Sequence, residues 1–193
     1  TLMLAGHDTT ARHLAWTAYL LAEHPRVVAT WHAELDRVLS GRPPTLADLP
    51  QLPYTRMIIE ESMRLYPPIW TIPRRVIADD DVGGYRLRRG SYVLLALREI
   101  QRDPRWWSEP EAFRPERFDR ALHPAPRAGA YAPFGWGPRT CVGAQFATVE
   151  SQLILATLGQ RLTWRVEPGQ RIVPEGYITL LPKYGIRLRT ARR

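Results

Sequence analysis

The chain contains one cysteine, Cys141, and it lies in a segment built for a tight turn. Gly135 and Gly137 lack a Cβ, so the backbone there can turn sharply and approach a flat ligand closely. Pro138 stiffens the same turn. A helical pattern begins just after Cys141, and the free N–H groups of a helix start favour the thiolate, the form that ligates metals. The segment predicts a metal-binding thiolate; the alternative is a small buried hydrophobic side chain, the usual fate of a free cysteine.

Five positions from Phe134 to Gly143 occur at the spacing Phe-x-x-Gly-x-Arg-x-Cys-x-Gly. This pattern resembles the haem-binding loop of the cytochrome P450 family. The resemblance implies that Cys141 is the axial thiolate ligand of the iron of haem b, a ligand that promotes O–O cleavage in this class. It also implies that Phe134, Arg139 and Gly143 take part in binding the cofactor.

A second motif, Ala5-Gly6-His7-Asp8-Thr9-Thr10, lies inside a helical pattern near the start of the chain. Threonines within helices often bond the carbonyl four residues back, and Thr9 could do the same with Ala5. The motif also resembles the oxygen-side helix of the same family. That resemblance implies that Asp8 and Thr9 are catalytic residues that relay protons to dioxygen, since O–O heterolysis needs positioned proton donors and little bulk water.

Glu61 and Arg64 are three residues apart in a third helical pattern, so their side chains can pair. Taken alone, such a pair is usually exposed and worth about 0–1 kcal/mol. Ahead of the cysteine segment, however, Pro115-Glu116-Arg117-Phe118 resembles the family pattern in which Glu-x-x-Arg and a later arginine form a triad. The resemblance implies that Glu61, Arg64 and Arg117 are structural and hold the haem-binding loop.

One further arginine is a candidate ligand of the cofactor. The place of Arg75 resembles that of a family arginine that pairs with a haem propionate, a role also implied for Arg139. The adjacent Arg74 competes with Arg75, and strand alternation sends the two side chains to opposite faces, so only one can serve. Where the family often has a histidine, the chain has Gln101, which leaves open the polar contacts made there.

Apolar spacing predicts the elements that position these residues. Helices are predicted over residues 2–21, 25–39, 52–66 and 142–159. Short β-rich runs within residues 69–97 predict a small antiparallel sheet, and residues 162–188 contain further strand-like runs. Residues 103–131 show little periodicity, and so long an irregular stretch is usually functional or tied down by side chains. The predicted fold is mainly α with small antiparallel β-sheets (α+β), and the resemblance makes it the C-terminal portion of the cytochrome P450 fold.

Composition excludes several classes of protein. The net charge of +8 comes almost wholly from arginine, since Lys183 is the only lysine. No nucleic-acid-binding motif accompanies that charge, and an acidic electron-donor protein is a better partner for it. No apolar stretch in the sequence approaches the ~20 residues that cross a membrane. A lone cysteine forms no internal disulfide, and a cytoplasmic location is expected.

The resemblance covers all 193 residues, but only the C-terminal half of the family's length. It implies one partial domain over residues 1–193, a fragment expected to be inactive and to retain haem weakly. Its substrate pocket would include Leu4, Ala5 and residues 69–72 and 178–180.

For the full-length protein, the resemblance implies a haem-thiolate monooxygenase. This enzyme inserts one oxygen atom from dioxygen into a hydrophobic organic substrate, using electrons from NAD(P)H through a partner of the ferredoxin or flavoprotein reductase type. The alternatives are a peroxide-driven oxygenase on the same scaffold and a non-catalytic haem-binding or inactive truncated product.

Overall fold

A computed structural model describes residues 2–127 and 129–193, and the side chains of Leu2 and Leu4 also lie outside the described set. Its helices are α1 (Leu2–Glu23), α2 (Pro25–Leu39), α3 (Pro53–Leu65), the single turn α4 (Leu97–Ile100) and α5 (Ala144–Arg161). Three 3-10 turns lie at Leu46–Gln51, Pro115–Phe118 and Gly137–Arg139. The four long helices lie where the apolar spacing predicts them.

The ends of the helices follow from local chemistry. Pro25 and Pro53 occupy the first turns of α2 and α3, where a missing N–H costs nothing. After α2 the backbone turns left-handed at Ser40 and at Gly41, where φ is +85°. The start of α3 is capped from α2, because the buried carboxylate of Glu34 accepts the N–H groups of Tyr54 and Thr55 at 2.6 and 2.8 Å.

Within the described residues, the strands pair antiparallel in four two-stranded sheets. The strands are β1 (Ile72–Arg75), β2 (Asp80–Val82), β3 (Tyr85–Leu87), β4 (Tyr92–Leu95), β5 (Leu162–Val166), β6 (Pro174–Gly176), β7 (Leu180–Pro182) and β8 (Leu188–Arg192). Residues 69–97 therefore hold two separate pairs, β1 with β4 and β2 with β3, where one sheet was predicted. The mixed helical and antiparallel fold is confirmed.

The hydrophobic core lies between α1, α2, α3 and α5. Trp31 of α2 is almost fully buried there and donates its Nε1–H to Thr55 of α3 at 3.0 Å. Gly159 of α5 lies against the same indole, so close that a Cβ at this position would be 2.3 Å from the ring. This contact sets α5 directly on α2, and α5 in turn presents the cysteine segment at its N-terminal end.

Candidate active site

The cysteine segment is a compact loop closed by backbone hydrogen bonds. The Cys141 N–H donates to the Phe134 carbonyl at 2.9 Å. Gly135 and Gly137 adopt φ values of +77° and +65°, a region that favours glycine. Helix α5 begins at Ala144, three residues after Cys141 and two after the predicted start at residue 142. Val142 and Gly143 form a turn before α5, in which the Ala144 N–H donates to the Cys141 carbonyl at 3.3 Å.

A cavity of about 860 Å³ lies between this loop and helix α1. Cys141 is exposed and lines one side, and Thr9 of α1 lines another. Val142 and Phe146 also line the cavity, with 90% and 69% of their surfaces exposed. Large apolar side chains so open to solvent indicate a surface meant to be covered by an apolar partner.

The two predicted catalytic residues of α1 take different positions. The Thr9 hydroxyl donates to the Ala5 carbonyl at 2.6 Å, as threonines within helices often do, while its side chain faces the cavity. Asp8 is not among the described residues that line the cavity. The Asp8 carboxylate instead accepts from Arg12 Nε at 3.2 Å and from the Thr179 hydroxyl at 3.0 Å.

Two guanidinium groups lie at the cavity, those of Arg74 and Arg139. Within the described part of the chain, neither forms an ion pair with a carboxylate, so both charges are free for an acidic ligand. Arg75, the residue predicted for this role, is not among the lining residues. In β1 the two arginines alternate across the strand, opposite Val93 and Tyr92 of β4, and the cavity lies on the side of Arg74.

Of the predicted substrate-pocket residues, Ala5, Ile69 and Ile72 line the cavity. Residues 178–180 do not: Ile178 is exposed to solvent, Thr179 bonds to Asp8, and Leu180 bonds to the Pro68 carbonyl. The side chain of Leu4 lies outside the described residues.

The structure brings Glu61, Arg64 and Arg117 together. Arg64 binds both carboxylate oxygens of Glu61, at 2.7 and 2.8 Å, and both side chains are fully buried. Arg117 Nε donates to Glu61 at 3.2 Å. Arg64 also donates to the carbonyls of Gln101, Pro110 and Ala112, at 2.7–3.1 Å. The cluster thereby ties α3 to the irregular segment ahead of the cysteine loop.

Comparison with known proteins identifies the family. The cytochrome P450 family model matches residues 1–188. The chain belongs to the cytochrome P450 family. It is 42% identical over 193 residues to cytochrome P450 132 of Mycobacterium tuberculosis, covering 100% of the chain and 42% of the relative. It is 42% identical over 170 residues to cyclooctat-9-en-7-ol 5-monooxygenase of Streptomyces melanosporofaciens, covering 87% of the chain and 36% of the relative.

A solved structure agrees with this assignment. The haem domain of a cytochrome P450DA mutant superposes on the chain with a TM-score of 0.92 at 32% identity, covering 100% of the chain and 42% of that domain. The chain thus spans about two fifths of the length of the P450 relatives that it matches. Haem and iron binding are general to the family.

The residues at the cavity fit haem. An open thiol can ligate iron, two unpaired guanidinium groups suit two carboxylates, and the exposed Val142 and Phe146 suit a flat apolar ring. At Gly143 an added Cβ would lie 3.8 Å from the sulfur of Cys141, an ordinary van der Waals distance, so the backbone of the loop passes close to the thiol. Within the described ranges, no group of three or more His, Cys, Asp or Glu side chains that could hold a metal ion is present.

Gln101 is a residue of this site whose role the sequence left open. It is fully buried, and its amide donates to the carbonyls of Met63 and Arg64 at 3.0 and 3.2 Å. Its Oε1 accepts the N–H of Ala132, two residues before Phe134, at 2.9 Å. One side chain therefore joins the end of α3 to the beginning of the cysteine loop. The sequence held one signal for this role: Gln101 lies directly before Arg102-Asp103-Pro104, at a position where the family often has histidine.

His13 lies one turn beyond Thr9 on α1 and also lines the cavity, with 2% of its surface exposed. Burial lowers the pKa of this imidazole from 6.5 to about 4, because a charged ring would lose its hydration. Between these two pH values the unfolded chain binds a proton that the folded protein does not bind. The contribution of neutral His13 to the free energy of unfolding is therefore fully present above pH 6.5 and declines as the pH falls towards 4.

We expect His13→Gln to remove this part of the pH dependence, which amounts to about 2 kcal/mol at pH 5. The measurement is the free energy of unfolding at pH 7 and pH 5. His123→Gln is the matched control, since His123 is exposed and its replacement leaves the decline intact. An equal decline in the His13→Gln variant would show that other groups cause it.

None of the described helices is both long and apolar enough to cross a membrane.

Proposed function

We propose that the full-length protein is a haem-thiolate monooxygenase that inserts one oxygen atom from dioxygen into a hydrophobic organic substrate. The observation that carries the proposal is the pairing of Cys141 and Thr9 across one cavity. In this proposal haem b is the cofactor, the electrons come from NAD(P)H through a ferredoxin or flavoprotein reductase, and the protein works in the cytoplasm. Residues 1–193 form part of its single haem domain.

Each residue has a separate task in this mechanism. Haem, when bound, supplies the activation of dioxygen. Cys141 would hold it by the iron, and Arg74 and Arg139 would bind its two carboxylates. The oxygen of the Thr9 hydroxyl keeps its lone pairs free while its proton bonds Ala5, so Thr9 can accept a hydrogen bond at the cavity wall. The apolar lining limits the entry of water.

The substrate class follows from the same lining. Ala5, Ile69, Ile72 and Phe146 present carbon surface to the cavity, which favours a hydrophobic molecule. The name cyclooctat-9-en-7-ol 5-monooxygenase assigns to that relative an oxygenase reaction on an organic alcohol. By similarity, it also supports oxygenase chemistry for the protein that contains this chain.

Thr9→Ala in the full-length haem protein tests the proton relay. Reductant oxidation is expected to continue, while product formed per reductant falls about ten-fold or more, because a positioned proton carrier is lost. Thr9→Ser keeps the hydroxyl and should retain coupling. Equal coupling in wild type and Thr9→Ala would exclude the relay. Full turnover with peroxide alone, and none with dioxygen and reductant, would instead identify a peroxide-driven oxygenase.

A further inference from the structure

The carboxylate of Asp8 is held by two donors, and one of them comes from the far end of the chain. Arg12, one turn along α1, donates its Nε–H to Oδ1 at 3.2 Å. Thr179 donates its hydroxyl to Oδ2 at 3.0 Å, across 171 positions of sequence. Thr179 is almost fully buried and lies in the turn between β6 and β7. A strand connection thus contacts the predicted acid of the proton relay directly.

This turn, residues 177–179, is fixed at both of its ends. The Tyr177 carbonyl accepts from Trp70 Nε1 at 2.8 Å. The Leu180 carbonyl accepts from Trp16 Nε1 at 3.0 Å, and the Leu180 N–H donates to Pro68 at 2.8 Å. Asp8 and Trp16 lie eight positions apart on α1 with Arg12 between them, so one stripe of the helix faces the turn. The position of Thr179 is therefore well defined.

The bonds from Arg12 and Thr179 together hold the Asp8 carboxylate where it does not line the cavity. Thr9 lines the cavity, while Asp8, among the described residues, does not. For the carboxylate to pass a proton towards the cavity, it must turn on its side-chain torsions, and that turn breaks its bond to Thr179. We propose that Thr179 is a positioning residue that keeps Asp8 docked off the cavity until the turn at residues 177–179 moves. This inference rests on the proposed proton relay.

The turn is suited to respond to a hydrophobic molecule. Ile178, next to Thr179, has 92% of its surface exposed, and Tyr177 has 64%. Because these apolar groups adjoin the buried hydroxyl, a contact that displaces Ile178 also acts on the Thr179–Asp8 bond. The chain thereby links contact at the β6–β7 turn to the release of Asp8.

Thr179→Val tests the inference, since it removes the donor and keeps the shape of the side chain. In the full-length haem protein without substrate, with a surrogate ferredoxin and ferredoxin reductase, we expect NADPH oxidation to rise about three- to ten-fold. That is the population shift that the loss of one hydrogen bond produces. The solvent deuterium isotope effect on this oxidation should fall. Thr179→Ser should restore both values to those of the wild type.

Two comparisons separate this role from a structural one. In an Asp8→Asn background, Thr179→Val should have no further effect on either readout. A Thr179→Val variant that changes only KM or thermal stability would overturn the inference and leave Thr179 as an anchor of the turn. Wild-type turnover and coupling in Asp8→Asn alone would instead refute the proposed relay, and the inference with it. If Asp8→Asn impairs turnover and coupling while Thr179→Val changes neither NADPH oxidation nor its isotope effect, the inference is refuted and the proposed relay stands.

Discussion

Replacing Cys141 by serine is expected to abolish the cysteinate-type carbon monoxide spectrum of the full-length protein and essentially all of its oxygenase turnover. A serine hydroxyl is a neutral, poorly donating ligand, so the electron density that favours O–O cleavage is lost. Because Cys141 is the only cysteine of residues 1–193, no other thiolate in this part of the protein can replace it. The measurements are the reduced carbon monoxide difference spectrum, the haem content and product formation with reductant.

This substitution should leave the fold intact. The loop is closed by the backbone N–H of residue 141 and by the Thr140 hydroxyl, which donates to Gly137 at 2.8 Å. In the described structure the sulfur of Cys141 takes no part in these bonds. An unchanged far-ultraviolet circular dichroism spectrum is therefore expected, and Thr140→Ser serves as the neighbouring control that retains the thiolate spectrum. A cysteinate-type spectrum in Cys141→Ser would contradict the assignment of the iron ligand.

Features fixed by local chemistry were predictable from the sequence. Pro25 and Pro53 mark helix starts, and a left-handed glycine follows α2, because each signal acts within a few residues. The start of α5 was predicted to within two residues, at residue 142 rather than Ala144. A turn at Val142 and Gly143 occupies the first two residues that the apolar spacing assigned to the helix.

Features fixed by distant contacts were not predictable in this way. The sequence offers Arg74 and Arg75 side by side, and only the pairing of β1 with β4 places Arg74 at the cavity. Asp8 is near Thr9 in sequence, yet a hydroxyl 171 positions away holds it elsewhere. In each case the deciding partner lies on another element, whose position no local pattern specifies.

The irregular segment at residues 103–131 shows what replaces regular structure in this fold. Where described, it is held by side chains: Arg64 donates to Pro110 and Ala112, and the Trp107 indole donates to Ala130 at 3.2 Å. The guanidinium of Arg64 also lies over the Trp107 ring at 5.0 Å. Because one buried arginine serves so many partners, the conformation of the segment depends on it.

Arg64→Met is accordingly expected to cost about 3–5 kcal/mol of unfolding free energy. The variant leaves the buried carboxylate of Glu61 with the Arg117 contact at 3.2 Å and the Arg114 backbone N–H at 2.9 Å, both on the same oxygen. It also leaves the carbonyls of Pro110 and Ala112 without their donor. The measurement is the urea midpoint and slope at pH 7. Haem content should fall along with stability, since the segment leads into the cysteine loop.

Arg56→Met on the same helix is the matched control. Arg56 pairs with Glu60 at 2.7 Å, but its side chain is 31% exposed and Glu60 keeps a second partner, Arg120, at 3.5 Å, so the loss of Arg56 should cost about 1 kcal/mol or less. An equal cost for the two variants would mean that burial and the carbonyl contacts of Arg64 add nothing. Arg64→Lys separates charge from geometry: it keeps the positive charge but loses the two-point contact with Glu61. A cost for Arg64→Lys close to that of Arg64→Met would assign the stability to the planar guanidinium and its fixed directions.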